Sequence, residues 1–299
     1  MNKALMLYPL AAVLALMTGC VSPVRRNAGI SEAILKDDRP DLVTVAAAAA
    51  GFRKRDFSAE QLGKYSDGEL DRLYESLYRT TFYFPGQRGY IALQEDVLAE
   101  KARRKRQTDE DAEQLHWAYV GARMFDSAAA LRQKFPGGNY PAIPAQITGV
   151  DMGKTYWQAY EVSDGGKKAE LGVLPLGAGP KVVMEMFTGC PTAEKALEEI
   201  MASPKLSAVF RKYGVLLTDR FDAVGVVLWK EHFKFTEVYI AHQRGDFPGM
   251  NFRTSPNFYF FSNGKILFSF SGWSNKAEPE AGPVNMIKGL EAIAVQVGS

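Results

Sequence analysis

The chain has 299 residues, of which 46% are hydrophobic and 12% aromatic, so its composition supports a packed core rather than disorder. Its 36 basic residues nearly balance its 34 acidic ones, which gives a formal net charge of +2. A charge so close to zero provides no global field that would attract nucleic acid, and we expect no nucleic-acid partner. The length suits two small domains, or one domain with a large appendage.

The first 19 residues have the composition of an export signal. Lys3 precedes an apolar run from Ala4 to Met17, which is too short to cross a bilayer comfortably. The following sequence, Leu16-Met17-Thr18-Gly19-Cys20, resembles the lipobox of bacterial lipoproteins, although such boxes most often have leucine where this chain has Met17. The resemblance implies that residues 1–19 are a removed signal peptide and that Cys20 is acylated.

Acylation of Cys20 would attach the protein to a membrane of the bacterial cell envelope. Several acyl chains on one residue anchor it durably, because each buried methylene contributes about 0.8 kcal/mol. Val21 follows Cys20, and by resemblance to lipoprotein sorting the lack of aspartate there favours the outer membrane, facing the periplasm. An ordinary cleaved signal with an unrelated cysteine is the alternative.

The first half of the mature chain is predicted to be helical. Residues 20–40 are polar and show no clear hydrophobic period, so they are interpreted as a tether that connects the lipid to the folded part. Residues 41–135 are predicted to form an all-α domain. Its clearest signal is the capping box Ser66-Asp67-Gly68-Glu69, which is followed by apolar residues at helical spacing from Leu70 to Tyr78.

A basic run, Lys101-Ala102-Arg103-Arg104-Lys105-Arg106, lies in this helical half. One interpretation is attraction to anionic phospholipid near the anchor. The other is a solvated helix end whose charge is balanced by Asp109-Glu110-Asp111 just beyond it. We favour the second, because opposite charges follow at once and no aromatic residue interrupts the run.

The hydrophobic period changes after the proline- and glycine-rich stretch that begins at Phe135. Residues 136–153 are predicted to be a linker, and residues 154–299 an α/β domain in which a mixed sheet has flanking helices. The strand-like run Lys181 to Thr188 leads directly to Cys190, which begins a predicted helix from Pro191 to about Tyr213.

This second half resembles the thioredoxin-like fold. The most specific stretch is Thr254-Ser255-Pro256-Asn257-Phe258-Tyr259-Phe260-Phe261-Ser262-Asn263-Gly264-Lys265, which looks like the family's cis-proline loop and the antiparallel hairpin after it. The resemblance implies that Pro256 is cis and lies beside Cys190, where the Ser255 backbone would pair with an extended segment. The family's buried acid has a weak counterpart in Glu185, five residues before Cys190 instead of six.

Candidate site residues follow from this resemblance. Cys190 is the candidate thiol, and its place at a helix start favours the thiolate through free N–H groups and the helix dipole. The predicted groove for a substrate or partner contains the residues Thr188, Pro191, Ser255 and Pro256.

Ala193 is the main departure from the family, because it occupies the place of the second cysteine of a Cys-x-x-Cys site. A dithiol enzyme needs that cysteine to release its substrate, so the two-cysteine cycle is not possible here. The leading hypothesis is therefore an anchored envelope protein whose groove binds a protein partner without catalytic turnover. The alternative is a monothiol redox protein, acting through Cys190 in thiol-disulfide exchange or oxidant sensing.

No cofactor or metal is expected. The histidines His116, His232 and His242 are scattered in the sequence. With Cys190, His232 and His242 would make a copper or zinc site like that of the copper-chaperone branch of this fold. That branch usually has a Cys-x-x-x-Cys pair, which this chain lacks, so the sequence does not favour a metal site.

Overall fold

A computed structural model describes residues 22–37, 41–153, 155–274, 277–278 and 280–296. The predicted signal peptide and Cys20 lie outside the described residues. The described residues form two compact units, which are divided between Leu115 and His116. This division falls before the predicted linker at residues 136–153, so the last helix of the predicted helical domain belongs to the second unit. No described helix is both long and apolar enough to span a bilayer.

The described part of the first unit is built from helices, as the sequence predicts. Ser66 and Glu69 form the predicted capping box at the start of the longest of them. The helices are α1 (Pro23–Leu35), α2 (Leu42–Ala49), α3 (Ala59–Leu62), α4 (Asp67–Tyr83), α5 (Arg88–Arg103) and α6 (Asp109–Gly121), of which α6 continues into the second unit.

Helix α1 differs from the prediction, because its residues were expected to belong to a polar tether. Two of the residues on its buried face, Asn27 and Ser31, are polar. Asn27 donates a hydrogen bond to the Tyr65 hydroxyl at 2.9 Å, and the hydroxyls of Ser31 and Ser76 are 2.9 Å apart. A helix whose buried face carries polar residues shows no periodic pattern of apolar residues. Helix α1 could therefore not be predicted from hydrophobic periodicity.

The basic run is part of the internal charge network of the first unit. Lys101 is buried, and its Nζ lies 2.9 Å from a carboxylate oxygen of Asp71 and 2.6 Å from one of Asp111. Arg104 forms a 2.7 Å ion pair with Glu100 one turn earlier. The predicted charge balance is thus present between Lys101 and Asp111, but the prediction of a solvated helix end is wrong for Lys101, because its ammonium group is buried between two carboxylates.

The second unit combines a sheet with helices. Its helices after α6 are α7 (Phe125–Lys134), α8 (Pro191–Ala202), α9 (Pro204–Tyr213), α10 (Ala223–Phe233) and α11 (Ala281–Ala292). Its strands are β1 (Gln146–Thr148), β2 (Gln158–Ser163), β3 (Lys168–Val173), β4 (Pro180–Glu185), β5 (Gly214–Thr218), β6 (Val238–Ala241), β7 (Asn257–Ser262) and β8 (Lys265–Ser271).

The strands form one mixed sheet in the order β1-β3-β2-β6-β5-β4-β7-β8. β4, β5 and β6 are mutually parallel neighbours, whereas β7 is antiparallel to β4 and β8 is antiparallel to β7. The predicted mixed sheet with flanking helices is therefore confirmed. Since β4, β5 and β6 run in the same direction, their carboxyl ends meet at one edge of the sheet, where ligands of open α/β sheets commonly bind.

Three details of this unit differ from the sequence prediction. Gln146–Thr148, inside the predicted linker, pairs with β3 as strand β1. The single helix predicted from Pro191 to Tyr213 is divided at Ser203, because Pro204 lacks the N–H that would continue it and Ser203 caps a new helix by accepting from the Leu206 N–H. The strand β6 was not predicted.

A buried cluster on one face of the sheet supports the ends of the parallel strands. It is covered in part by the loop from residue 242 to residue 256, which contributes Phe247 and Phe252. The other residues of the cluster are Ala159, Leu174, Leu176, Val183, Val215, Leu217, Ala241, Tyr259 and Phe261.

Candidate functional site

Cys190 lies at the carboxyl end of β4, in the turn that leads into α8. Its backbone N–H donates to the Phe187 carbonyl at 3.0 Å, and its own carbonyl accepts from Glu194 at 2.9 Å. Gly189 has φ 78°, a left-handed conformation that favours glycine. Pro191 occupies the first helical position, where its missing N–H leaves no bond unmade. The Cys190 side chain is half-buried.

The segment around Ser255 lies against this turn. The Phe187 N–H donates to the Ser255 hydroxyl oxygen at 2.9 Å, and Cys190 Sγ lies 3.7 Å from the Ser255 carbonyl oxygen. The Ser255–Pro256 peptide bond is cis, as predicted from the resemblance. The structure thus brings Cys190, Pro191, Ser255 and Pro256 together at the edge where the parallel strands end.

Thr188 belongs to the same turn but points its hydroxyl toward another element. It donates to Asp222 Oδ2 at 2.8 Å, while Asp222 Oδ1 caps α10 by accepting from the Gly225 N–H at 2.8 Å. The Arg220 guanidinium lies over the Phe187 ring at 4.2 Å from its centroid. The turn that carries Cys190 is therefore fixed to the start of α10 as well as to the Ser255 segment.

The position of the missing second cysteine is inaccessible. Ala193 is 0% exposed, with its methyl group packed inside the unit. The chain has two cysteines, and Cys20 precedes the described residues. No resolving thiol of this chain therefore stands beside Cys190 among the described residues.

The three histidines have separate environments. His116 is fully buried against Tyr140, with ring centroids 4.9 Å apart, and burial lowers its pKa to about 4. His242 Nδ1 lies 2.9 Å from Asp246 Oδ2. His232 is exposed at the end of α10. In the described structure, the thiol of Cys190 forms its hydrogen bond with Ser255, and neither His232 nor His242 joins it in a metal-ligand cluster.

A buried carboxyl group lies at the end of β4, close to the Ser255 segment. Glu185 is fully buried, and its Oε2 accepts from Asn257 Nδ2 at 2.7 Å. Burial raises the pKa of Glu185 to about 9, so the group is neutral at pH 7. Asn257 Nδ2 also donates to the Asn251 carbonyl at 2.9 Å. The Glu185–Asn257 pair therefore ties β4 to the loop that presents Ser255 and Pro256.

The ends of β5 and β6 contribute charged residues that the sequence did not point to. Arg244 Nε donates to Asp219 Oδ2 at 2.6 Å, and Asp219 follows the last residue of β5. Arg123 donates to the carbonyls of Asp219 at 2.8 Å and Ala241 at 2.6 Å. In the sequence, the short apolar run Val238–Ala241 is the feature that would have indicated a strand here, and in the structure it forms β6.

No protein-family model matches the chain, and no curated protein matches it significantly. Among solved structures, a thioredoxin-like protein from Bacteroides caccae is similar to it at 11% sequence identity and a TM-score of 0.27, with 95% of this chain and 99% of that chain covered.

Proposed function

We propose that this protein is a lipid-anchored protein of the bacterial envelope whose second unit is thioredoxin-like and holds a protein partner in the groove between Cys190 and Pro256. No dithiol cycle accompanies this binding. The unit places a fixed turn and a fixed extended segment side by side, with Pro191 exposed at the rim. The half-exposed Ser255 backbone would pair with an extended peptide, because such peptides are recognised through main-chain hydrogen bonds.

The observation that carries the proposal is the contact between the Cys190 turn and the Ser255 segment. Cys190 Sγ lies 3.7 Å from the Ser255 carbonyl oxygen, while Ala193 is fully buried. This contact supports a groove between the two segments, and the buried Ala193 means that this position provides no second thiol for release of a mixed disulfide from within. Binding is the function that both facts support.

A monothiol role for Cys190 is the second candidate. The partly exposed thiol of Cys190 supports it, because a substrate disulfide would reach the sulfur at the N-cap of α8. In that role the Cys190 thiolate would attack a substrate disulfide, forming a mixed disulfide and releasing one substrate thiolate. One external thiol would then attack the Cys190 sulfur and free the second substrate thiolate, and a second external thiol would restore Cys190 and leave as a disulfide with the first. Binding and monothiol exchange differ in whether the partner complex requires the Cys190 sulfur.

Photo-cross-linking from the groove tests the binding function. The photoreactive residue p-benzoylphenylalanine would replace Pro191, which is exposed beside Cys190. The matched control places it at Thr236, which is exposed just before β6, at the opposite end of the parallel strands. We expect a discrete adduct in bacterial cells from position 191 and none of the same mass from position 236. Equal labelling from both positions would show that the groove is not selective.

Substitution of the predicted acylation site tests the membrane anchor. We expect the unmodified chain to incorporate labelled palmitate and to sediment with membranes when it is expressed in a bacterial host. Cys20→Ser should lose both properties, because the acyl chains supply the attachment. Cys190→Ser, the matched control, should retain them. Membrane sedimentation of Cys20→Ser at the level of the unmodified chain would refute anchoring at this residue.

A further inference from the structure

Three potential metal ligands converge between α8 and α10, outside the groove. They are Glu194 and Glu198 on α8 and His232 on α10. One ligand atom from each lies within 4.8 Å of those of the other two, and all three side chains are exposed. Two helices thus contribute two carboxylate oxygens and one imidazole nitrogen to a single point on the surface.

The two helices are already held together near their beginnings. Thr188, just before α8, donates to Asp222, the N-cap of α10, at 2.8 Å. His232 lies near the other end of α10, ten residues after Asp222, or about 15 Å along the helix axis at 1.5 Å per residue. Ligation there would join the helices at a second point, distant from the first.

The charges of the cluster favour a cation. Glu194 and Glu198 are one turn apart, and like charges at this spacing destabilise a helix. The neighbouring Lys195 pairs with Glu199 at 3.6 Å instead. Among the described residues, no ion pair of a lysine or arginine with Glu194 or Glu198 is formed within 4.0 Å. A divalent cation between the two carboxylates would remove this repulsion.

We propose that Glu194, Glu198 and His232 form a site for a divalent metal ion, with zinc as the best match. Zinc accepts mixed nitrogen and oxygen ligands and is commonly held by three protein groups and a water. The site uses neither Cys190 nor the groove, so it is independent of the proposed partner binding. Its consequence is a metal link between α8, which begins at Cys190, and α10.

Isothermal titration of the full chain, purified without a histidine tag, with Zn²⁺ tests the site. We expect one zinc ion per chain. His232→Gln and Glu198→Gln should each weaken binding by about tenfold or more, since even outer-sphere partners of a metal contribute that much. Glu231→Gln, which removes an exposed carboxylate next to His232, and Cys190→Ser should leave the affinity unchanged.

Circular dichroism of each variant establishes that it is folded, and the exposed positions make unfolding unexpected. The proposal is overturned if the unmodified chain binds no zinc. It is equally overturned if His232→Gln binds zinc as tightly as the unmodified chain, or if Cys190→Ser abolishes binding, because the metal would then lie elsewhere.

Discussion

Replacement of Arg123 by methionine is expected to lower the free energy of unfolding of the second unit by about 3 kcal/mol. The Arg123 guanidinium donates to the carbonyls of Val120, Gly121, Asp219 and Ala241. Two of these acceptors lie at the ends of β5 and β6. Methionine keeps much of the side-chain volume but removes the donor of these hydrogen bonds. Each buried carbonyl that is left without a hydrogen bond lowers the free energy of unfolding by about 1–3 kcal/mol.

Arg123 remains charged despite its surroundings. Desolvation lowers its pKa to about 10, and the ring of Phe221 lies 5.1 Å from the guanidinium carbon. Arg123→Lys is expected to retain part of the stability, because an ammonium group reaches fewer carbonyls than the planar guanidinium does. Comparison of Arg123→Met with Arg123→Lys therefore separates loss of donors from loss of charge.

Urea unfolding followed by tryptophan fluorescence measures the Arg123 effect. All four tryptophans lie in the second unit, so the signal reports on that unit. Arg253→Met is the matched control, since it removes an exposed arginine and should change stability by less than about 0.5 kcal/mol. If Arg123→Met lowers the free energy of unfolding no more than Arg253→Met does, water molecules must donate to the carbonyls in place of the guanidinium.

The second large effect is a dependence of stability on pH that arises from Glu185. Burial raises the pKa of this group from 4.5 to about 9 in the folded protein. The folded state therefore binds the proton more tightly than the unfolded state. Stability from this group is fully present below pH 4.5 and decreases as pH rises toward about 9. Between these two pH values, the contribution of Glu185 to the free energy of unfolding decreases by about 1.4 kcal/mol per pH unit.

Glu185→Gln isolates this contribution, because glutamine has no proton to lose and still accepts from Asn257. The stability of Glu185→Gln relative to the unmodified chain should increase by about 1.4 kcal/mol per pH unit between pH 5 and pH 8. Taking the difference cancels other titrating groups, such as His116. Glu231→Gln removes an exposed carboxylate by the same chemical change and serves as the control. A relative stability of Glu185→Gln that does not change with pH would show that Glu185 is ionised in the fold.

Local signals in the sequence predicted the turn that carries Cys190. Gly189, Cys190 and Pro191 each suit one position between a strand and a helix, and these preferences act over a few residues. The Asn263-Gly264 hairpin was predictable for the same reason, and both positions adopt positive φ.

Features that depend on distant partners were missed. Arg123 is 96 and 118 residues from two of its acceptors, so its role is not visible in the local pattern. Strand β6 has only four residues, which is too short for an alternating pattern to identify it as a strand. Helix α1 buries Asn27 and Ser31 against hydroxyl groups, and a buried polar face leaves no apolar period.

Several of the residues discussed above lie at one edge of the sheet in the second unit. Hydrogen bonds of Glu185, Arg123 and the Asp219–Arg244 pair fix the ends of β4, β5 and β6. At this edge, the Cys190 turn and the Ser255 segment are only partly buried. Rigid support of this kind limits the entropy lost when an extended partner binds. It requires no reaction at the thiol.

The most direct test of the proposed function is cross-linking from position 191 in the Cys190→Ser background. If the groove binds its partner through shape and backbone groups, the adduct should form in this background with the yield seen when Cys190 is present. Serine cannot form a disulfide, so a complex that depends on the sulfur would be lost. Disappearance of the adduct in Cys190→Ser would contradict thiol-independent binding and assign the groove to monothiol chemistry.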